Sequence, residues 1–260
     1  MSIGTDAPSA DTLARIPHYF IHTLELDAPY SAAQYEHEAM DILRSLFRSH
    51  SVLIMVGGSM LYIDAILKGL DTIPEVSPEV SERVSGIAEE GGVESVRACL
   101  KELDPDYLRS VDPSNLRRLS RALAVTLSTG RPFSSFHSST RSRRPFRIIP
   151  IGINADREIL RARIRQRVDR MLEQGLVEEV RSLMPYRDLN ALHTVGYTET
   201  FEYLNGKISI DECRQKIFKH TWVYAKQQLR WFTKEPEIKW FAPEDYDEIR
   251  RYLSDLSSEV

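Results

Sequence analysis

The stretch "VLIMVGGSMLYIDAILKG", residues 52–69, decides the fold class of this chain. It joins an apolar run, a Gly-Gly-Ser turn and a second apolar stretch that ends at Gly69. An apolar run with almost no polar alternation is typical of a buried parallel strand, and we predict such a strand over 51–58. The residues after the turn predict a helix that Gly69 ends. Strand, glycine turn and helix in this order indicate an α/β protein.

The segments on either side continue this alternation of strands and helices. We predict a short strand over residues 18–24 and a helix over residues 31–50, in which Ser31 caps the first turn. The stretch "FRIIPIGI", residues 146–153, predicts another buried strand, and residues 238–241 predict a short last one. The sequence therefore predicts an α/β core.

A polar, helical segment interrupts the predicted core. Two prolines break the alternation within residues 73–80, and the sequence beyond them is helical as far as Gly130. We therefore predict two domains. Residues 1–75 and 140–260 form the α/β core with C-terminal helices, and residues 76–139 form a helical insertion.

The composition is that of an ordinary soluble globular protein, with 42% hydrophobic residues, 28% charged residues and a net charge of −4. No apolar run reaches about 18 residues, so no membrane span is predicted. The first residues lack the basic and apolar regions of a signal peptide. Cys99 and Cys213 lie far apart and the histidines form no ligand pair, so we expect no disulfide, no protein-built metal cage and a reduced, cytoplasmic setting.

The Gly57-Gly58-Ser59 turn is the first candidate binding element. Glycines after a parallel strand let backbone N–H groups approach a ligand closely, and a helix N-terminus favours an anion. A plain tight turn is the alternative interpretation, and the spacing alone does not separate the two.

An arginine-rich helix is predicted over "REILRARIRQRVDRMLE", residues 157–173. An apolar stripe on this helix should face the core, and arginines lie on both of its flanks. They are either a charged face in solvent or a set of guanidinium groups that bind phosphates. The stripe is Leu160, Ile164, Val168, Met171 and Leu172; the flanks are Arg163, Arg167 and Arg170, and Arg157, Arg161 and Arg165.

Two further stretches combine residues suited to nucleic acids. Residues 114–123 place three arginines within about one helical turn, where like charges repel unless an anion binds them. Residues 220–235 interleave aromatic and basic side chains, a pattern that suits stacked bases and phosphates. Solvated or core helices are the alternatives for both stretches.

Seven stretches in this order resemble motifs of the tRNA dimethylallyltransferases, also called tRNA isopentenyltransferases. Together they extend over nearly the whole chain, and their shared order makes the resemblance specific. They are "IGTDAPSADTLARIPHYFI", "PYSAAQYEHEA", "VGGSMLYIDAILKGLDTIP", "NLRRLSRALAVTLSTGRPFS", "DREILRARIRQRVDRMLEQGLVEEVRSL", "TVGYTE" and "YAKQQLRWF".

The resemblance implies a fold and a reaction. The fold is a P-loop NTPase-like parallel-sheet core, with the nucleotide-binding and ATP-binding features of that class, and a helical insertion. The reaction transfers the dimethylallyl group of dimethylallyl diphosphate to N6 of the adenosine 3′ of the anticodon. The implied partners are the tRNA anticodon stem-loop and Mg²⁺, which helps bind and release the diphosphate, and a cytoplasmic monomer is expected. The adenosine is flipped out to reach the site, as in other enzymes that act on a base.

The resemblance also assigns roles to matching residues. It implies tRNA contacts for Ser59, Ser81, Arg117, Arg118, Leu119, Ser120, Arg121, His193, Thr194, Val195, Gly196, Tyr197, Thr198, Lys226, Gln227, Gln228 and Arg230. It implies phosphate contacts for Arg163 and Arg167. No catalytic residue is assigned within residues 1–260, because the expected aspartate base and phosphate-loop threonine belong to the N-terminal segment of the family.

The sequence departs from the family pattern at its start. The family begins with a strand, a G-x-[TS]-x-x-G-K-[ST] loop, a helix and the expected aspartate, and this sequence contains none of them. Such a unit has roughly 30 or more residues. We therefore expect a truncated transferase with exposed apolar surface and strand edges. The alternatives are a degenerate, non-catalytic tRNA-binding paralogue and a P-loop nucleotide or nucleoside kinase.

Four positions that are often basic in the family carry other residues here, which weakens the expected binding of phosphates in a salt-dependent way. They are Ser81, Thr198, Trp222 and Gln227.

Overall fold

The computed structural model of the protein describes residues 1–137 and 143–258. Within these residues the chain forms eleven α-helices, three short 3-10 helices and two short strands. The α-helices and strands are α1 (Ala10–Arg15), α2 (Ala32–Leu46), α3 (Met60–Lys68), α4 (Pro78–Leu103), α5 (Pro105–Ser110), α6 (Leu116–Thr129), β1 (Ile151–Ile153), α7 (Arg157–Glu173), α8 (Leu176–Ser182), α9 (Tyr197–Leu204), α10 (Ile210–Phe232), β2 (Lys239–Phe241) and α11 (Tyr246–Ser258). No helix in this described part is long and apolar enough to cross a membrane.

The chain divides into two compact units. The first contains Met1–Gln34, Ile54–Ile63 and Arg147–Val260, and the second contains Tyr35–Leu53 and Asp64–Phe146. The domain boundaries predicted from the sequence, at 75/76 and 139/140, stay a prediction. Residues 139 and 140 lie outside the described residues.

A parallel pair of strands belongs to the first unit. β1 pairs with β2, and Gly152 lies opposite Trp240 in the register. A Cβ atom on Gly152 would lie 2.5 Å from the Trp240 ring, so a side chain at this position would displace the indole. The strand predicted over 238–241 is confirmed, and the strand predicted over 146–153 is confirmed only for its last three residues.

The core of the first unit lies between helices α7 to α10. Ile164, Val168 and Met171 of α7 are buried there with Cys213 and Ile217 of α10, and Leu160 and Leu172 pack against this cluster. The apolar stripe predicted for the arginine-rich helix is therefore confirmed. Burying this stripe fixes the rotation of α7 and leaves its arginines on the two flanks.

The core of the second unit lies between α4 and α6. α4 bends at Gly92, where a φ of +63° suits glycine. The Asn115 side chain accepts a hydrogen bond from the Arg118 N–H at the start of α6, and Gly130 ends the helix with a φ of +67°. The predicted helix end at Gly130 is confirmed.

The helix predicted after the Gly-Gly-Ser turn is α3, and an arginine far along the chain covers its C-terminus. Arg144 donates hydrogen bonds to the carbonyl oxygens of Ala65 and Ile66, and its guanidinium lies 2.6 Å from a Glu36 carboxylate oxygen. The other oxygen of that carboxylate accepts a hydrogen bond from the Leu70 N–H. Arg144 thus provides a hydrogen-bond donor both to the carbonyl groups at the end of α3 and to the carboxylate on α2.

Two of the predicted strands are wrong. Residues 18–24 form bends, because Phe20 and His22 have φ values of +64° and +51°, which no strand accommodates. Residues 51–58 form no strand either, and Ile54 and Val56 are 87% and 90% exposed. The only strands among the described residues pair with each other, so this apolar segment has no described strand as a neighbour. The helix predicted over 31–50 is confirmed as α2.

We expect Arg144→Leu to lower the free energy of unfolding by about 3 kcal/mol, because it leaves the half-buried Glu36 carboxylate and two carbonyl oxygens without their cation. Urea unfolding followed by circular dichroism measures the change. The matched control is Arg143→Leu, since Arg143 is exposed and next in the chain. Equal effects of the two substitutions would contradict the role given to Arg144.

Candidate functional site

The Gly57-Gly58-Ser59 turn lies against helix α10. The carbonyl oxygen of Gly58 accepts hydrogen bonds from Gln228 Nε2 at 2.7 Å and from the Tyr224 hydroxyl at 3.5 Å. A Cβ atom on Gly58 would lie 2.1 Å from that Nε2 atom, so any larger residue would displace the Gln228 side chain from this position. Ser59 is exposed, and its carbonyl oxygen accepts the first hydrogen bond of α3. Two residues predicted for the site, Ser59 and Gln228, are thereby brought together.

Helix α10 presents exposed polar and aromatic side chains next to this contact. Lys226, Gln227 and Arg230 are exposed, and Tyr224 is 40% exposed. An aromatic ring beside cations suits bases and phosphates. Residues 220–235 therefore place basic and polar side chains on the surface of the first unit, whereas Trp222 and Ala225 pack against its core.

The predicted stretch His193–Thr198 divides into exposed and buried residues. His193, Thr194 and Thr198 are exposed, whereas Gly196 and Tyr197 are buried. An open cleft of about 540 Å³ is lined by His193 and Thr198 together with Arg187, Asp188, Leu192, Phe201, Glu202, Asn205 and Lys207. Only the exposed residues of this stretch are in a position to contact a ligand. Tyr197 is part of the core, where it supports the position of its neighbours.

The Tyr197 hydroxyl donates a hydrogen bond of 2.6 Å to the carboxylate of Glu179 on α8. The same carboxylate accepts hydrogen bonds from the N–H groups of Ser2, Ile3 and Gly4 at 2.8, 3.0 and 3.2 Å. Burial by itself raises the pKa of Glu179, but the hydrogen bonds from Tyr197 and from the three N–H groups outweigh it and lower the pKa. Burial and the bond to the carboxylate raise the pKa of Tyr197.

No role is predicted for Glu179 from the sequence, although its position in the sequence indicates that it is partly buried. It lies in "GLVEEV" between Leu176 and Val180, two residues that are fully buried. A glutamate at this helical spacing points toward the same side as its apolar neighbours and needs a buried partner. The identity of that partner, the N-terminal segment, depends on the tertiary structure.

A second carboxylate, that of the buried Glu199, supports the start of α9. Glu199 is 2% exposed, and it accepts a hydrogen bond of 2.7 Å from the Gly196 N–H and another from His220 Nδ1 of α10. The φ of Gly196 is +96°, a backbone conformation that favours glycine. Both the glycine and its hydrogen bond to Glu199 therefore hold this turn. The Gly196-x-x-Glu199 spacing of a capping box is the signal that could have identified this glutamate from the sequence.

The two predicted phosphate-binding arginines differ in their surroundings. Arg163 is exposed and has no ion pair with another residue in the described part of the chain. The Arg167 guanidinium lies 3.6 Å from the carboxylate of Asp6. Arg163 is therefore the more available of the two for an anionic ligand.

The remaining predicted tRNA-binding residues belong to the second unit. Arg117, Arg118 and Arg121 are exposed on α6, whereas Leu119 is fully buried in the core and Ser120 is half-buried. Ser81 is exposed on α4, where its hydroxyl donates a hydrogen bond to the Ser77 carbonyl oxygen. The buried Leu119 fixes the rotation of α6 and so directs the three arginines outward.

Three comparisons with known proteins complete this description. A family model described as IPP transferase matches residues 1–235. The tRNA dimethylallyltransferase 1 of Bacteroides thetaiotaomicron is 48% identical over 253 residues, which are 97% of this chain and 82% of that protein.

Two solved structures have the same fold. The tRNA isopentenylpyrophosphate transferase of Bacillus halodurans has a TM-score of 0.67 and 26% identity over 100% of this chain and 83% of its own. A eukaryotic dimethylallyltransferase acting on tRNA has a TM-score of 0.77 over 99% of this chain and 69% of its own, and its 21% identity supports the fold alone. These neighbours and the parallel sheet confirm the predicted fold class.

The fold and the exposed arginines define an α/β protein with cationic surfaces suited to an anionic ligand. The extent of the matches then gives the family: this chain belongs to the IPP transferase family.

We expect Gly58→Ala to lower the free energy of unfolding by about 1 kcal/mol, because the new methyl group displaces Gln228 and breaks its hydrogen bond. Gln228→Ala removes the same bond. The double variant should therefore be no less stable than Gly58→Ala, since the second change also opens space for the methyl group. Urea unfolding of the four proteins measures the coupling, and additive losses would contradict the contact.

We expect Glu179→Gln to lower the free energy of unfolding by about 2 kcal/mol at pH 7, because a charged acceptor of four hydrogen bonds is lost. The folded-state pKa of Glu179 lies below its usual value of 4.5, so its contribution is complete above that value and is lost as the pH falls through the folded-state pKa. The difference between the two proteins should therefore shrink in acid.

Urea unfolding at several pH values measures this difference. Glu178→Gln is the matched control, because the Glu178 side chain is 68% exposed and lies 3.5 Å from Arg181. A difference for Glu179→Gln that does not depend on pH would contradict the role of the carboxylate.

Proposed function

We propose that this protein transfers the dimethylallyl group of dimethylallyl diphosphate to N6 of the adenosine 3′ of the anticodon in tRNA. The observation that supports it is the family match over residues 1–235, together with relatives named tRNA dimethylallyltransferase that align with 97% of this chain. The choice of the anticodon-adjacent adenosine as acceptor and of the diphosphate as donor is inferred from the resemblance of the sequence motifs.

The contact between the Gly-Gly-Ser turn and α10 supports the placement of the target nucleotide. Gln228 donates a hydrogen bond to the carbonyl oxygen of Gly58, the next residue, Ser59, is exposed, and Tyr224 is 40% exposed. A hydroxyl both donates and accepts hydrogen bonds, and an aromatic ring stacks on a base. These groups together suit an unstacked nucleotide.

The exposed cations suit the charged parts of the two substrates. In the reaction, the N6 nitrogen forms a bond to the dimethylallyl carbon, and the bond from that carbon to the diphosphate breaks. The proton of N6 goes to a base, for which the resemblance implies an aspartate of the family's N-terminal segment. Arg163 withdraws negative charge from the departing diphosphate, which lowers the barrier because the charge grows in the transition state. Arg117, Arg121 and Arg230 bind backbone phosphates of the tRNA.

Mg²⁺ stays a prediction that rests on the family resemblance. The described residues contain no group of three or more histidine, cysteine, aspartate or glutamate side chains that could hold a metal ion. No step proposed above depends on the metal. We propose further that the protein acts as a monomer in the cytoplasm, where its tRNA substrate is found.

The test is transfer by the protein purified from its native cells. We expect an unmodified tRNA transcript and dimethylallyl diphosphate to give one dimethylallyl group on the adenosine 3′ of the anticodon, measured by mass spectrometry of the nucleosides. The matched control is the same transcript with guanosine at that position, which lacks the exocyclic N6 and should stay unmodified. Binding of the transcript without transfer would contradict the proposal and favour a non-catalytic tRNA-binding protein.

A further inference from the structure

Helix α10 has two functional faces that point in nearly opposite directions. Residues two positions apart on an α-helix point about 160° away from each other. Tyr224 and Gln228 face the Gly-Gly-Ser turn, so Trp222 and Lys226 lie on the other side of the helix. The predicted tRNA-binding stretch of α10 therefore belongs to two separate surfaces.

The second surface is a ladder of side chains between α7 and α10. Arg157 and Arg161 place their guanidinium carbons 5.8 and 5.7 Å from the centre of the Trp222 ring, and Lys226 Nζ lies 5.8 Å from it. One turn further along, Arg165 lies 5.3 Å from the centre of the Phe218 ring. Each helix contributes side chains at a spacing of four residues, which puts them on one face.

The charges on this ladder are unbalanced. Beyond Arg165 the next pair is neutral, because Arg214 of α10 lies 3.5 Å from the Asp169 carboxylate. Along the rest of the ladder, the one carboxylate of the described residues that lies within 4 Å of a cation is that of Glu158, at 3.8 Å from Arg161. Four cations thus share one face with a single carboxylate, and their mutual repulsion favours an anionic ligand.

The aromatic rings explain how these cations stay together. A cation over a ring is attracted by the negative face of the π-system, which offsets part of the repulsion between neighbouring cations. Successive cations on α7 are separated by about 6 Å along the helix. A row of charges at this spacing suits a polymer of phosphates better than a single small anion, and arginine binds phosphate oxygens in pairs.

We propose that the face formed by Arg157, Arg161, Arg165, Trp222 and Lys226 is a second tRNA-binding surface, which binds backbone phosphates away from the nucleotide at the Gly-Gly-Ser turn. This inference rests on the proposed function, since it takes tRNA as the substrate. Trp222 is a positioning residue here, because its ring lies beside Arg157, Arg161 and Lys226 and holds these cations side by side.

The experiment compares the wild-type protein with the double variant Arg157→Gln/Arg161→Gln. The probe is an unmodified tRNA transcript, and its Kd is measured at several salt concentrations. Two lost phosphate contacts should weaken binding about tenfold or more, and should reduce the slope of log Kd against log salt by about 2. The transfer rate at saturating tRNA should not change, because this surface does not touch the reacting atoms.

Arg181→Gln is the matched control. Arg181 is an exposed arginine on α8, 3.5 Å from Glu178, and lies outside the ladder. Trp222→Leu should weaken tRNA binding in the same direction, and Trp222→Phe should restore most of it because the ring is kept. The two arginines are on the surface, so their variants test the proposal even if Trp222→Leu folds poorly.

The outcomes separate this inference from the proposed function. If the wild-type protein modifies tRNA and the double variant binds it as tightly as Arg181→Gln, this surface is not a tRNA site and the proposed function stands. If the double variant instead loses affinity for dimethylallyl diphosphate or lowers the rate at saturating tRNA, the cations serve the reaction and the inference is overturned. If the wild-type protein modifies no tRNA, the proposed function itself fails.

Discussion

The carboxylate of Glu179 connects three parts of the first unit that are far apart in the sequence. It accepts four hydrogen bonds, from the N-terminal segment and from Tyr197 of α9, while α8 anchors it beside the buried Leu176 and Val180. Neutral groups could not satisfy so many donors at one point. The first turn of α9 and the loop before it, and with them the exposed Thr198 and His193, depend on this carboxylate for their position.

The two proposed binding surfaces of the first unit both lie on α10. One face of this helix holds the Gly-Gly-Ser turn through Gln228, and the other lies against the arginines of α7 through Trp222. The helix can serve two surfaces because its buried residues, among them Cys213 and Ile217, lie in its N-terminal half. Its C-terminal half is therefore available for polar contacts on both sides.

The sequence predicts the helices of this protein better than its strands or its buried polar contacts. The stripe that includes Ile164 and Val168 follows from periodicity, because a helix determines locally which residues share a face. The apolar run 51–58 predicts a strand, but a strand forms only where another strand pairs with it. Arg144 and Glu179 act on partners far along the chain, so no local pattern indicates their contacts.

The close approaches at Gly4, Gly58 and Gly152 have a consequence for the evolution of this protein. Each glycine faces a large side chain from a distant part of the sequence, namely Tyr197, Gln228 and Trp240. At position 58, a larger residue displaces the Gln228 side chain and costs stability, and this cost is avoided when residue 228 has become smaller first. Substitutions at these paired positions are therefore expected to be fixed in a definite order, and the two positions of a pair should covary among homologues.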